Sequence, residues 1–281
     1  MRQTQLEHAT ESEALTTREQ AMLSLNQKLQ TTAHKSQAKA IDLDLRKLDA
    51  AQASEHLRIV QNYLPITFFE SGDADSVNGL LFFQRCAFKS DILNQVVAQM
   101  HGLPNSLYDS VPEILVGVCE LRSKITHFAA INRRFAAMVK RCPVDMYLRM
   151  GKIANEVKGT EKRIDHWIEL LRREEFREFE CTKDIIMLLG QFEHLVDLYL
   201  NDTQLDLDEK ELDSVLAIDC DLDITAAAIG LSKQMIIGID TNDSLDKEIG
   251  QNEFARDFFE PLQKVLNTIK SIKFASRYVL V

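Results

Sequence analysis

Glycine and proline are scarce in this sequence, with ten and five residues respectively among 281. Hairpins between β-strands usually depend on these two residue types, so a protein rich in strands would contain more of them. Apolar residues nevertheless make up 45% of the chain, which is enough to build a buried core. The composition therefore predicts an all-α protein made of long helices.

Cysteine is also sparse, and no two cysteines form a C-x-x-C pair. An odd number of widely spaced cysteines argues against a disulfide framework and against a zinc site. We expect small, mostly buried apolar side chains of a cytosolic protein at these positions. They are Cys86, Cys119, Cys142, Cys181 and Cys220.

Basic residues are too few for a nucleic-acid-binding protein, because 33 Lys and Arg face 43 Asp and Glu, a net charge of -10. Phosphate binding depends on clustered cations, so nucleic acid is not an expected partner. No apolar run reaches the roughly 18 residues of a membrane-spanning helix, and the N-terminus lacks the apolar core of a secretory signal. A soluble, cytoplasmic chain without membrane insertion is predicted.

The spacing of the acidic residues excludes an EF-hand calcium site. Asp219, Asp221 and Asp223 match the first three ligand positions of an EF-hand loop. The sixth and twelfth positions, which require Gly and Glu, hold Ile224 and Gly230. The match fails, and a solvated acidic loop is expected here.

Signatures of catalysis are missing as well. There is no glycine-rich phosphate loop, no H-E-x-x-H motif, and no pair of histidines four residues apart. The adjacent Glu174 and Glu175 lie in a run of mixed charge, where the burial that tunes an acid and a base is not expected. The sequence therefore predicts a protein that is not an enzyme and that holds no metal or cofactor.

Residues 1–62 contain neither glycine nor proline and carry a narrow apolar stripe, which predicts one long helix. A long helix with so narrow a stripe is under-stabilised alone, so a coiled coil with a partner helix is expected. The alternative is an amphipathic helix that folds onto its own domain. A change of phase across 31–36 divides the predicted seam into two sets, Met22, Leu25 and Leu29, then Ala38, Ile41, Leu45 and Leu48.

The pattern changes at residues 63–65, where Pro65 disfavours helix at the residue before it. From there to 281 the apolar faces are broad, which predicts a multi-helix globular bundle, with sub-lobes 63–141 and 142–281. The sequence stops without a capping signal, as expected of a segment from a longer protein. The predicted core anchors are Phe82, Phe83, Trp167, Ile168, Leu171 and Phe192.

Three local features of the bundle are also predicted. Asp75 or Ser76 is expected to cap the first long helix. A strongly apolar helix is expected over 185–200. A helix of small residues over 224–237 should follow the acidic loop, and a turn should then begin at Gly238.

Several blocks of the sequence resemble the large Glued subunit of dynactin, the activator of cytoplasmic dynein. Residues 72–135 and 201–223 depart from the pattern of its animal members. The blocks consist of ordinary helix residues, and their order and spacing carry the resemblance. They are KAIDLDLR at 39–46, AQA at 51–53, YLP at 63–65, C-x-V-D-x-Y at 142–147, E-x-R-x-D-x-x-IELL at 161–171 and EHL at 193–195.

The resemblance implies that residues 1–62 are the end of the first coiled coil and that 63–281 are the helical domain between two coils. It also implies a parallel homodimer through the coil, contact with the dynein intermediate chain, and other dynactin subunits or cargo adaptors as partners. A non-catalytic, cytoskeleton-associated scaffold for microtubule-based transport follows as the expected function. The competing hypothesis is a monomeric helical tethering module of vesicle traffic, with residues 1–62 folded back.

Overall fold

The computed structural model describes residues 18, 20, 22, 24, 25, 28, 43, 45–70, 73–102, 111–200, 206–242 and 260–279. Over these residues the chain forms helices joined by turns and contains no strand. The all-α prediction is therefore confirmed. The chain divides into two compact units, Met1–Ile66 and Thr67–Val281. The functional domains and sub-lobes predicted above stay predictions.

The first unit is described mainly through one helix, α1, at residues 45–61. Three successive amides after it, those of Asn62, Tyr63 and Leu64, donate hydrogen bonds of 3.0 to 3.2 Å to carbonyl oxygens three residues earlier. Pro65 then lies outside any helix or turn, and its ring disfavours helix at the preceding residue. A short helix, α2, covers Ile66–Glu70.

The second unit contains seven further helices within the described ranges. They are α3 (Asp73–His101), α4 (Ile114–Arg141), α5 (Val144–Val157), α6 (Gly159–Arg172), α7 (Glu178–Tyr199), α8 (Leu207–Asn242) and α9 (Glu260–Val279). Helix α4 lies at the centre and contacts α3, α7 and α8. Helices α5 and α6 pack on α3, and α9 packs on α8.

Small residues let α3 and α5 approach each other closely. A Cβ atom on Gly151 would lie 2.6 Å from the Ser76 amide nitrogen, and one on Gly79 would lie 3.0 Å from the Ala154 Cβ. Ser76 is fully buried at this contact. The prediction that Asp75 or Ser76 caps α3 is therefore wrong, since α3 begins at Asp73. The serine is required for its small size inside the helix pair.

Aromatic rings fill the centre of the bundle. Phe83 stacks on Phe135 with ring centroids 5.0 Å apart, and Phe128 meets Phe192 edge to face at 4.9 Å. All four side chains are fully buried. Packed aromatic pairs of this kind stabilise a core beyond the area that they bury. The rings therefore fix the arrangement of α3, α4 and α7.

Two predicted boundaries in the C-terminal half are wrong. Helix α7 begins at Glu178 and not near residue 185, because Glu180 and Lys183 of its first two turns face solvent while Cys181 is buried. Residues 207–242 form one continuous helix, so the acidic loop, the separate helix at 224–237 and the turn at Gly238 do not occur. The reason for the second difference lies in α9, as described below.

Candidate partner-binding surfaces

The residues of the predicted coiled-coil seam that the structure describes are exposed to solvent. Met22 and Leu25 are 66% and 58% exposed, and Leu45 and Leu48 are 55% and 54% exposed. The remaining predicted seam residues, Leu29, Ala38 and Ile41, lie outside the described residues. Rows of exposed apolar side chains indicate an interaction surface.

Helix α1 carries a first apolar face, which we call face A, formed by Leu45, Leu48 and Ile59. Ile59 lies two heptads after Leu45, so with 3.5 to 3.6 residues per turn it lies on the same side of the helix. Ile59 is 45% exposed. Ile59 therefore continues the predicted seam to the end of the helix, past the polar Gln52 and Glu55 at the two intervening seam positions.

A second apolar face, face B, is formed by Leu43, Leu57 and Val60. These side chains are also exposed, and successive residues turn by about 100° around the axis, which puts them roughly opposite face A. One apolar stripe suits one partner helix, so two opposed stripes can contact two different helices. Sequence reasoning missed face B because a single heptad seam assigns these positions to the outer side of the helix.

The predicted core anchors lie inside the second unit. Ile168 and Leu171 are partly buried and pack on the same hydrophobic cluster as the others. Side chains in this position stabilise the fold and cannot reach a partner. The fully or almost fully buried anchors are Phe82, Phe83, Trp167 and Phe192.

Helix α9 is fastened to α8 by a buried ion-pair network. The Lys273 Nζ lies 2.5 Å from the Asp223 carboxylate and 3.2 Å from the Asp219 carboxylate. Arg122 of α4 approaches Asp223 at 3.7 Å. Lys273 and Asp223 are both buried. Asp219 and Asp223, two of the three acidic residues predicted to form a solvated loop, are thus paired with a lysine at least 50 residues further along the chain, which is why the helix continues through them.

A second buried pair holds the start of α8 on α4. The Arg134 Nε donates a 2.7 Å hydrogen bond to the Asp206 carboxylate, and both residues are buried. Buried charges are costly unless they are paired with good geometry, so such a pair fixes which surfaces meet. The pair therefore sets the position of α8 on α4.

Helix α6 is tied to α3 through Glu161. Its carboxylate accepts hydrogen bonds from Arg85 at 2.7 Å and from Lys89 at 2.8 Å. The hydrogen bond from Arg85 is the main reason why the pKa of Glu161 falls to about 2. This carboxylate stays ionised at neutral pH and cannot act as a general acid.

His127 lies where α4, α7 and α8 meet. Its ring nitrogens are 3.5 Å from the carboxylates of Glu193 and Asp213. The hydrogen bond with Asp213 is the largest cause of a raised pKa for this histidine. The two carboxylates favour the protonated form of His127, and in that form the ring links α7 and α8 to α4.

The buried cysteines are unreactive thiols. Burial raises the pKa of Cys86 and of Cys181 to about 12 and that of Cys119 to about 11. Only the thiolate is a nucleophile or a metal ligand, and these groups remain protonated at neutral pH. Within the described residues no group of three His, Cys, Asp or Glu side chains is arranged to hold a metal ion.

Two open cavities lie on the surface of the second unit. One, of about 490 Å³, is a groove between α3 and α4 next to the exposed ring of Phe88. The other, of about 600 Å³, lies at the turn between α6 and α7. Across the part of the chain that the structure describes, no helix is both long enough and apolar enough to cross a bilayer.

The described residues present exposed apolar helix faces and paired charges but no buried cluster of reactive groups. These features define an all-helical protein with candidate binding surfaces. The chain belongs to the dynactin family described as "Dynein associated protein", whose model matches residues 1–280. The resemblance seen in the sequence is thereby confirmed.

Three relatives named "Dynactin subunit 1" are similar to most of the chain. The protein of Xenopus laevis is 24% identical over 182 residues, which cover 62% of this chain and 15% of the relative. That of Gallus gallus is 23% identical over 180 residues, with the same coverages. That of Drosophila melanogaster is 25% identical over 187 residues, covering 61% and 14%. The chain thus spans about one seventh of the length of these relatives.

Proposed function

We propose that this chain is a non-catalytic scaffold segment of a dynactin complex, which binds other proteins during microtubule-based transport by dynein. The family membership supports the link with dynein. The single observation that carries the binding role is the pair of exposed apolar faces on α1. Water-exposed rows of leucine and isoleucine are unfavourable in an isolated helix and become favourable when another helix covers them.

Face A is the proposed contact of a parallel homodimer. Leu45 and Leu48 are three residues apart and Ile59 follows Leu45 by two heptads, so all three fit one coiled-coil seam in which Gln52 and Glu55 hold the positions between Leu48 and Ile59. The seam would continue through the earlier predicted positions. Arg58, on the flank of face A, forms an ion pair of 2.6 Å with Glu55, which holds a seam position one heptad after Leu48. Charged flanks beside an apolar seam are typical of paired helices in water.

Face B is the proposed contact for a second partner, and the dynein intermediate chain is the leading candidate. Other dynactin subunits or cargo adaptors are further candidates, and the site of action would be the cytoplasm near the cytoskeleton. The partner is expected to present an amphipathic helix, because face B is narrow and straight. Face B would remain open in a dimer that forms through face A.

Cysteine cross-linking tests the parallel dimer. In a parallel pair the same seam position lies opposite itself in both chains, so Leu48→Cys should form a disulfide between two chains under mild oxidation. Ser54→Cys, on the flank of the same helix, should cross-link far less, and the unchanged protein provides the background from native cysteines. Equal yields from the two variants would contradict the seam.

Capture of the dynein intermediate chain tests face B separately. Leu57→Glu with Val60→Glu should abolish capture while the Leu48→Cys cross-link still forms in this background. Ala51→Glu with Ser54→Glu adds the same charge between the two faces and should leave capture intact. Undiminished capture by the face B variant would remove this contact from the proposal.

The alternative, a monomeric tethering module of vesicle traffic, predicts neither a cross-link at position 48 nor capture of the intermediate chain.

The cleft between α6 and α7 is the candidate site for an enzymatic role, because His166 lies near Glu174, Glu175 and Glu180 there. All four side chains are exposed, whereas acid–base catalysis depends on burial that separates pKa values. The geometry favours a binding function.

A further inference from the structure

The turn between α6 and α7 forms a cleft with an apolar floor. The cleft has a volume of about 600 Å³ and includes Leu170 and Phe176 among its lining residues. A contiguous recess of about 60 Å³ reaches inward to Trp167 and Cys181, both of which are buried in the core. An apolar side chain that entered the cleft would therefore contact the edge of the hydrophobic core.

The backbone at the rim of the cleft has an unusual conformation. Glu174 has a φ angle of 60°, and it is the only residue other than glycine with positive φ in the described part of the chain. The Glu175 amide donates a 3.0 Å hydrogen bond to the Leu170 carbonyl oxygen, which closes the last turn of α6. Glycine usually occupies this left-handed position after a helix. Here the position instead carries a carboxylate, at the edge of the cleft.

The rim of the cleft is acidic. Three carboxylates, from Glu174, Glu175 and Glu180, line it together with one cation, Arg177. Arg177 donates a hydrogen bond of 3.1 Å to Glu180, so these two charges offset each other. Glu174 and Glu175 form no ion pair with any residue that the structure describes. Two carboxylates without an ion pair therefore lie beside the apolar floor.

The neighbouring arginines form their ion pairs with another carboxylate. Arg172 and Arg173 both donate to the Glu169 carboxylate, at 3.1 and 3.0 Å. Neither of them lines the cleft. By contrast, the groove between α3 and α4 includes Lys140 and Arg141 among its lining residues. Asp91, Arg133 and Glu209 also line that groove, so the cleft is the more acidic of these two cavities.

We propose that the cleft between α6 and α7 binds a basic peptide segment of a partner protein, with an apolar side chain over Leu170 and Phe176 and an adjacent Arg or Lys at Glu174 and Glu175. The inference rests on the proposed protein-binding role of the chain. It involves neither face of α1, so it can fail without affecting the dimer. The charge of the rim selects the partner, and the apolar floor fixes its register.

Titration of the full chain with synthetic peptides tests the proposal. The chain has one tryptophan, Trp167, which borders the recess and serves as an internal reporter. A tryptophan-free decapeptide of alternating Leu and Arg should change the Trp167 fluorescence and bind more weakly as salt is added. A decapeptide with Glu in place of Arg should not bind. Equal binding of the two peptides would overturn the proposal.

Paired variants locate the peptide. Glu174→Gln with Glu175→Gln should weaken binding by about fivefold, as expected for the loss of two exposed ion pairs, and should reduce the salt dependence. Glu120→Gln with Glu156→Gln removes the same charge from exposed positions elsewhere in the unit and should leave affinity unchanged. Equal weakening by both pairs would mean that the peptide responds only to overall charge, and the proposal would fail.

Two further variants separate binding from folding. Glu174→Gly removes the carboxylate at a position where glycine is unstrained, so it should weaken binding while the protein remains as stable or becomes more stable. Leu170→Asp should abolish the fluorescence response if an apolar side chain enters the cleft, provided that circular dichroism shows the helical content unchanged. Unchanged affinity in Glu174→Gly would contradict the role of this carboxylate.

Discussion

The two units differ in what they do with apolar residues. In the second unit a core of large aromatic and aliphatic side chains is buried, with others such as Phe88 and Phe179 left exposed, and even lysine and aspartate are buried in pairs. In the first unit the leucines and isoleucines of α1 remain about half exposed. A bundle of seven helices can cover its own apolar surface, whereas a single narrow helix cannot. The comparison indicates that the second unit is stabilised by its own packing and the first by association.

The sharpest test of this comparison is a cavity in the core of the second unit. Phe83→Ala should lower the free energy of unfolding by about 3–5 kcal/mol, because it removes a fully buried ring that stacks on Phe135. Phe88→Ala lies on the same helix at a 66% exposed position and should change it by less than about 0.5 kcal/mol. Urea unfolding followed by Trp167 fluorescence measures both. Similar losses would contradict the assignment of the core.

Removing one partner of a buried ion pair should have an effect of about 3 kcal/mol. Asp206→Ala leaves the Arg134 guanidinium buried without its carboxylate, so the second unit should unfold at a lower urea concentration. In the first unit, Glu55→Ala removes the exposed partner of Arg58 and should leave the unfolding midpoint unchanged. A stable Asp206→Ala protein would show that the pair is not buried in solution.

Two glycines provide a matched pair of substitutions. Gly151→Ala should destabilise the protein by about 1–3 kcal/mol, because the new Cβ would collide with the backbone of Ser76. Gly190→Ala, on an open surface of α7 with no atom within 4 Å of the new Cβ, should stabilise it by up to about 1 kcal/mol. Thermal unfolding compares the two. The same sign for both would mean that α3 and α5 are not in close contact.

Lowering the pH should have a smaller effect on the stability of the second unit. The pKa of Glu161 is about 2 in the folded protein, compared with an ordinary value of 4.5. Its ion pairs therefore stabilise the fold fully above that ordinary value, and the contribution is lost as the pH falls towards 2. Glu161→Gln should accordingly lose less stability than the unchanged protein between pH 5 and 3, which urea titrations at several pH values would detect. An identical acid dependence would rule out this pair as a contributor.

The sequence was sufficient for features that depend on local signals. The scarcity of glycine and proline predicted helices, Pro65 marked the end of α1, and broad apolar faces predicted a packed bundle after it. Trp167 and Phe192 illustrate why this works, since a large apolar side chain on a helix face is usually buried wherever the neighbouring helices lie. Such predictions require no knowledge of distant contacts.

Features that depend on distant residues were beyond the sequence. Asp219 and Asp223 suggested a solvated loop because their partner, Lys273, belongs to another helix that follows after many intervening residues. The cleft was missed for a similar reason. Its acidic rim looks like an ordinary mixed-charge run until the positive φ angle of Glu174 and the floor formed by Phe176 are known.

The mass of the particle in solution tests the central claim most directly. Sedimentation equilibrium at micromolar concentration should give twice the mass of one chain, and Leu45→Glu with Leu48→Glu should give the mass of one chain. The unfolding midpoint of the second unit, reported by Trp167, should be the same in both proteins. A single-chain mass for the unchanged protein, or a lower midpoint in the variant, would contradict the account in which α1 is stabilised by association and the bundle by itself.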